Sequence, residues 1–164
     1  MRRVAVRRAP ASAIDPAAAP RRDRDDLPTP TGAAEFGDLS GRTAIHDLVV
    51  EFYREIVFDD LLGPVFTEVA EVDWSLHIPR LVDYWCRILL GDAGYVGRPM
   101  EVHRRLHAAE PLRTEHCDRW YWLWADCVDR RAAGPRAERA KAHAAHLMAG
   151  MATRVFGFDW APPA

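Results

Sequence analysis

The sequence has few cysteines, no long apolar run and no excess of positive charge. Its three cysteines, Cys86, Cys117 and Cys127, form no Cys-x-x-Cys pair, so neither a disulfide framework nor a zinc knuckle is expected. Charged residues interrupt every apolar stretch before the ~18 residues that a membrane span needs. Lysine and arginine number 22 against 24 aspartates and glutamates, which argues against nucleic-acid binding. We therefore expect a soluble cytoplasmic protein without membrane or nucleic-acid partners.

The common catalytic fingerprints are also missing. The chain holds no Gly-x-Ser-x-Gly, P-loop, His-Glu-x-x-His or dinucleotide-binding glycine motif, which excludes the most frequent hydrolase, nucleotidase, zinc-protease and dehydrogenase classes. What is present suits a globular protein: 164 residues, 49% hydrophobic and 28% charged. This length and composition predict one folded domain.

The first forty residues differ in composition from the rest. They hold five of the twelve prolines and show no helical spacing of apolar residues, and Met1–Asp26 contains seven arginines against four aspartates. No apolar segment follows the arginine pairs, so a signal peptide is not indicated. A wrongly assigned start codon and a weak anionic contact stay open. We predict a disordered tail over 1–40, a folded domain over 41–160 and a short tail over 161–164.

From residue 40 onward the apolar residues recur with a helical period. One continuous face predicts a helix over Arg42–Phe58. Asp73 is placed as the N-cap of a second helix over Trp74–Leu90, which Gly91 ends. Pro79 lies inside this second helix, so it predicts either a separate first turn or a kink.

The second half of the chain continues the helical pattern. It predicts a short helix over Met100–His107, a longer helix capped by Thr114, and another after Gly134. No alternation typical of strands occurs, and the predicted class is all-α. Two histidine pairs at helical spacing, His103 with His107 and His143 with His146, suit a metal or cofactor site, although such spacings also arise by chance.

Six separated motifs occur together in this helical part. They are Phe52-Tyr53, Leu62-Gly63-Pro64-Val65-Phe66, Trp74-x-x-His77, Tyr84-Trp85-x-x-x-Leu89-Leu90-Gly91, Tyr95-x-Gly97-x-Pro99-Met100-x-x-His103 and Arg119-Trp120-x-x-Leu123-Trp124. Their order and spacing resemble the group III truncated haemoglobins, a bacterial branch of the two-over-two globins. The resemblance implies a sandwich of two helices over two around haem b, in a monomer that binds dioxygen, carbon monoxide or nitric oxide.

The resemblance also implies a set of haem-contacting residues. It places His103 as the axial ligand of the iron, with His107, one helical turn on, as the competing candidate. Arg80 and Arg104 are expected to face the haem propionates, and solvated arginines are the alternative. The full haem-contacting set is Phe66, Arg80, Trp85, Met100, His103 and Arg104, with Trp85 also interpreted as core.

Three further residues are expected around the bound gas. The family pattern places Tyr53, His77 and Trp120 there, where a phenol and an indole N–H donate hydrogen bonds to a ligand that carries partial negative charge. Tyr53 and Trp120 are alternatively core aromatics. His77 is alternatively a gate that swings outward, because Pro79 disturbs the backbone beside it.

Two other functions stay open from the sequence. A polar pocket with Tyr53 and Trp120 suits a haem enzyme with peroxidase-like or nitric oxide dioxygenase activity, for which a reductase is a candidate partner. The other alternative is a haem-free helical interaction module in which the histidines are solvated. An absorbance spectrum distinguishes this last alternative from both haem-binding functions.

Overall fold

The computed structural model describes residues 37–163, and this part of the chain is built from helices without any β-strand. The prediction of an all-α protein is confirmed. The disorder predicted for residues 1–40 lies, up to residue 36, outside the described residues. The helices are α1 Arg42–Phe58, α2 Trp74–Leu90, α3 Pro99–Ala109, α4 Thr114–Arg131 and α5 Pro135–Met151, with π-helical turns at Val65–Val69 and Ala152–Phe156.

Helix α1 is held by its predicted apolar face. Its buried residues recur three and four positions apart, so they form one stripe along the helix. The stripe packs against α2 and α4, and α5 in turn packs on α2 and α4. Each fully buried aliphatic side chain contributes about 1.5–3 kcal/mol relative to exposure. The stripe consists of Ile45, Leu48, Val49, Phe52, Tyr53 and Ile56.

Helix α2 begins and ends where the sequence predicts. The Asp73 carboxylate accepts the backbone N–H of Ser75 at 3.0 Å, and Gly91 ends the helix with a left-handed φ of 84°. Pro79 does not split off a separate first turn, because α2 runs through it without interruption. The carbonyl that its missing N–H would have bonded belongs to Ser75, which is exposed and therefore open to water.

Thr114 is the first residue of α4 rather than its cap. Arg113 occupies the capping position, and its backbone N–H donates to Nδ1 of His116 at 3.1 Å. The imidazole therefore folds back over the first turn and satisfies an N–H that the helix leaves unpaired.

Asp38 and Leu39, which the predicted boundary at residue 40 leaves in the tail, contact the helical part of the chain. The Leu39 side chain is 1% exposed and belongs to the main apolar cluster. The Asp38 carboxylate accepts the backbone N–H groups of Arg136 at 3.0 Å and Ala137 at 2.9 Å, at the start of α5. These two residues belong to the helical domain because one fills its core and the other caps a helix 98 residues away.

The end of α1 is tied to α4 through one buried carboxylate. Asp59 follows α1 and accepts the backbone N–H groups of Leu61 and Leu62. Its second oxygen accepts Nε–H of Arg119, from α4, at 2.5 Å. Burial opposes ionisation of Asp59, but these bonds and the guanidinium outweigh it and lower its pKa.

The apolar side chains form two clusters. The larger lies between α1, α2, α4 and α5, and the smaller joins the first π-helical turn and the start of α4 to the end of α5 and Trp160. Phe66, Trp120 and Tyr121 pack against both clusters. None of the helices within residues 37–163 combines the length and apolar character that a bilayer crossing requires.

Candidate functional site

A cleft lined mainly by apolar side chains opens among α1, α2, α3, α4 and α5. Its cavity volume is about 130 Å³. Five of the predicted site residues line it, namely Tyr53, Phe66, His77, His103 and Trp120. Most of the other lining residues are aliphatic or aromatic, namely Leu62, Val65, Leu81, Tyr84, Tyr95, Pro99, Leu106, Leu112, Leu147, Met148, Met151 and Phe156.

His103 lines the cleft from α3 with a fixed ring. Its Nδ1 lies 2.7 Å from the backbone carbonyl oxygen of Pro99, and a carbonyl only accepts, so Nδ1 carries the proton. Burial lowers the pKa of His103, although the bond to Pro99 acts in the opposite direction. The ring is therefore neutral at pH 7, and its Nε2 keeps a lone pair. This arrangement is typical of histidines that bind a metal, whose second nitrogen is held by a carbonyl or carboxylate.

Tyr53 and His77 meet on another part of the cleft wall. Their ring centroids lie 5.2 Å apart at 88°, and Phe66 lies 5.8 Å from Tyr53. Trp120 contacts this group through Phe52, and the ring centroids of Trp120 and Phe52 lie 5.4 Å apart. Burial raises the pKa of Tyr53, so its hydroxyl keeps its proton and can donate.

His77 carries an unsatisfied nitrogen. Its Nε2 is buried and has no hydrogen-bond partner among residues 37–163. Burial lowers the pKa of His77, and the charges of His103 and Arg80 lower it further. A buried polar atom without a partner costs about 1–3 kcal/mol. A ligand group in the cleft that bonds to Nε2 would remove this cost.

Four predicted haem contacts are absent from the cleft lining within the described part of the chain. Arg80 and Arg104 are exposed; Arg104 directly follows His103, and successive residues of a helix point in directions about 100° apart. Trp85 is buried and stacks on Trp124, with ring centroids 4.3 Å apart, so it lies in the core. Met100 packs against the smaller apolar cluster.

Sequence reasoning did not single out Tyr84 as a site residue. Its side chain lines the cleft, and its hydroxyl lies 2.6 Å from Nε2 of His143 on α5. The two residues are 59 positions apart, so no local pattern pairs them. Cys117 also lines the cleft, and burial raises its pKa to about 12, which leaves an unreactive protonated thiol.

His107 does not line the cleft in this part of the chain. Its Nδ1 accepts the backbone N–H of Leu112 at 3.0 Å, and its ring packs against Phe156 at 5.2 Å. Both interactions lie at the end of α3, where they fix the turn into α4. Of the two histidines on α3, only His103 faces the cleft.

Known proteins share this helical arrangement. A group 3 truncated haemoglobin of Campylobacter jejuni is 27% identical over 89 residues, 52% of this chain and 68% of that protein. A group 1 truncated haemoglobin of Nostoc commune is 34% identical over 83 residues, 51% of this chain and 65% of that protein. The crystal structure of a group III truncated haemoglobin from Campylobacter jejuni superposes with a TM-score of 0.63 at 20% identity, covering 73% of this chain and 94% of that one. The fold is that of the truncated globins.

The match to a family description extends over most of the helical part. Residues 35–156 match the bacterial-like globin family, a range that includes α1 to α5 and both π-helical turns. With the fold and the histidine-bearing cleft described above, this match places the chain in the bacterial-like globin family.

Proposed function

We propose that the chain binds haem b in the cleft, with His103 as the protein ligand of the iron, and that it binds dioxygen and other diatomic gases there. The observation that carries this proposal is the state of His103: a neutral imidazole that lines the cleft, whose Nδ1 is held by Pro99 and whose Nε2 keeps a lone pair. Bound there, haem would supply an iron with one free axial position for dioxygen, carbon monoxide or nitric oxide.

The lining of the cleft suits the polarity of a porphyrin. A porphyrin is a flat apolar ring, and the wall offers it aliphatic and aromatic side chains from all five helices. Removing such a surface from water contributes about 25 cal/mol per Å². Phe66 and Leu106 would contact the ring, and His103 would fix its position.

The polar groups of the cleft would act on the gas ligand. The Tyr53 hydroxyl keeps its proton because burial raises its pKa, and the indole N–H of Trp120 is always a donor. His77 adds a buried nitrogen that has no hydrogen-bond partner in the described residues 37–163. Donors aimed at a partly negative ligand slow its escape, since a hydrogen bond to a charged acceptor contributes about 1.5–3 kcal/mol.

A haem titration with two matched variants tests the proposal. The wild-type chain is expected to take up one equivalent of haem and to show a Soret band. His103→Ala is expected to lose stoichiometric binding and to regain it with added imidazole, whereas His107→Ala keeps the wild-type spectrum because His107 is not among the described residues that line the cleft. Both variants remove one imidazole from α3, so they share the same general perturbation.

Two results would contradict the proposal. A wild-type chain without a Soret band would favour the haem-free helical module. A normal five-coordinate ferrous spectrum in His103→Ala would show that another residue binds the iron.

A further inference from the structure

A continuous run of aromatic rings touches the cleft at both ends. Trp120 lines the cleft and stacks on Trp124 at 6.3 Å and 9°. Trp124 stacks on Trp85 at 4.3 Å and 15°. Trp85 contacts Tyr84 edge to face at 5.5 Å, and Tyr84 again lines the cleft. Two of these steps fall within the usual centroid distance of aromatic pairs, about 4.5–7 Å, and the step from Trp124 to Trp85 is slightly shorter.

The run ends in a phenol that is paired with a base. The Tyr84 hydroxyl lies 2.6 Å from Nε2 of His143, a short bond in which the hydroxyl donates. Burial lowers the pKa of His143, and the charges of His146 and Arg139 lower it further, so the ring is neutral and accepts. Burial raises the pKa of Tyr84 to about 12, so the phenol keeps its proton at rest.

Tyr53 makes an informative contrast. It also lines the cleft, but burial alone shifts its pKa, with no hydrogen-bond partner contributing. Oxidation of a phenol turns it into a strong acid, so the electron leaves easily only where a base takes the proton at the same time. Of the three tyrosines that line the cleft, Tyr53, Tyr84 and Tyr95, only Tyr84 has its hydroxyl hydrogen-bonded to such a base within residues 37–163.

We propose that Tyr84 and His143 form a redox-active pair that donates single electrons to oxidants in the cleft. In this step an oxidant gains the electron that Tyr84 loses, either directly or through Trp120, Trp124 and Trp85. The Tyr84 O–H bond breaks, and its proton forms an N–H bond at Nε2 of His143. The products are a neutral phenoxyl beside an imidazolium.

The chemistry of the pair identifies a substrate class. A hydroperoxide takes two electrons and two protons to give an alcohol and water, or two waters in the case of hydrogen peroxide. Tyr84 can supply these electrons one at a time, and the two protons come from the reductant that restores Tyr84 after each step. A small one-electron reductant such as ascorbate then returns an electron to the phenoxyl, and the proton moves back from His143. Reaction with hydroperoxides rests on the proposed haem, whereas the Tyr84 and His143 pair does not.

Pulse radiolysis of the full chain as purified tests the pair with azide radical, a one-electron oxidant that needs no haem. We expect decay of the indolyl absorption to be matched by growth of a phenoxyl absorption. Tyr84→Phe should lose that growth, and His143→Gln should slow it, because an amide accepts the hydrogen bond without taking the proton. Tyr121→Phe is the matched control, since the ring pair that Tyr121 forms within residues 37–163 is with Trp160 and not with a member of the run, and it should behave as wild type.

A second measurement uses the haem-loaded chain. After mixing with hydrogen peroxide, freeze-quenched samples should show a tyrosyl signal by electron paramagnetic resonance that is lost in Tyr84→Phe and kept in Tyr121→Phe. The proposal is overturned if Tyr84→Phe retains the wild-type phenoxyl yield with azide radical, or if His143→Gln forms it at the wild-type rate. A chain that binds no haem would contradict the proposed function alone, because the azide experiment still decides the pair.

Discussion

The hydroxyl of Tyr53 is the smallest group whose removal separates a ligand-binding role from a core role. Tyr53→Phe keeps the ring in its contacts with Phe52 and Phe66 and removes only the donor. A hydrogen bond to a charged acceptor contributes about 1.5–3 kcal/mol, so dioxygen dissociation from the haem-loaded chain should quicken about tenfold or more. Carbon monoxide dissociation should change much less, because that ligand is nearly non-polar. Stopped-flow measurement of both rates checks this prediction.

Trp120 and His77 can compensate for the lost hydroxyl. Both lie on the same cleft wall, and hydrogen-bond networks are not additive, so reorientation of either side chain would slow dissociation instead. The double variant Tyr53→Phe with Trp120→Phe removes one route of compensation. An unchanged ratio of dioxygen to carbon monoxide dissociation rates in both single variants and the double would assign these residues to the core.

At the residue scale, the sequence predicts the cleft better than its edges. Tyr53, Phe66, His77, His103 and Trp120, which the resemblance to the truncated haemoglobins implies as site residues, all line the cleft. Arg80 and Arg104 do not line it: both side chains are exposed, and no local pattern determines where a long flexible arginine points. The pairing of Tyr84 with His143 depends on how α2 meets α5, which only the tertiary packing decides.

At the scale of elements, local signals predict helix bounds well where a cap or a glycine lies in sequence next to the helix. Helices α1 and α2 have the predicted bounds for this reason. The cap of α5 was not predicted, because Asp38 lies 98 positions from Arg136 and the adjacent Gly134 offers no side chain. The contact of Asp38 with the start of α5 is therefore visible only in the folded chain.

The Asp38 cap gives a prediction on the stability of α5. Loss of an N-terminal cap costs about 0.5–2 kcal/mol, so Asp38→Ala should lower the free energy of unfolding by about that amount. Urea denaturation followed by circular dichroism measures it. Asp60→Ala is the control, since Asp60 is exposed and lies outside any helix, and it should leave the unfolding midpoint in place. Equal effects of the two variants would contradict a capping role.

Leu39 gives a second prediction, on the domain edge. A chain that starts at residue 41 loses both the Asp38 cap and the buried Leu39, whereas a chain that starts at residue 37 keeps them. Burial of a leucine contributes about 1.5–3 kcal/mol, so the shorter chain should melt several degrees lower. Differential scanning calorimetry of the two chains measures the difference in melting temperature, and equal melting temperatures would support a domain edge at residue 40.

At the scale of the whole molecule, buried histidines connect the fold to pH. His77, His103 and His143 come from α2, α3 and α5, and burial lowers the pKa of each from its ordinary value of 6.5. Two aspartates, Asp38 and Asp59, have pKa values lowered from 3.8, where hydrogen bonds and arginine charges outweigh the opposing effect of burial. The two kinds of group therefore act in different pH ranges.

These shifts predict that the haem-free chain loses stability in two steps as the pH falls. Between pH 6.5 and the lower pKa values of the folded histidines, the unfolded chain binds more protons than the folded one, so the free energy of unfolding decreases with decreasing pH. The carboxylates add their stability above pH ~3.8 and lose it below that value. Urea denaturation at intervals between about pH 3 and pH 8 measures both steps. His143→Gln should reduce the first step, and the control His46→Gln, at an exposed position, should not. A free energy of unfolding that stays constant from pH 7.5 to pH 5 would contradict the prediction, because it would show that the three imidazoles titrate as they do in the unfolded chain.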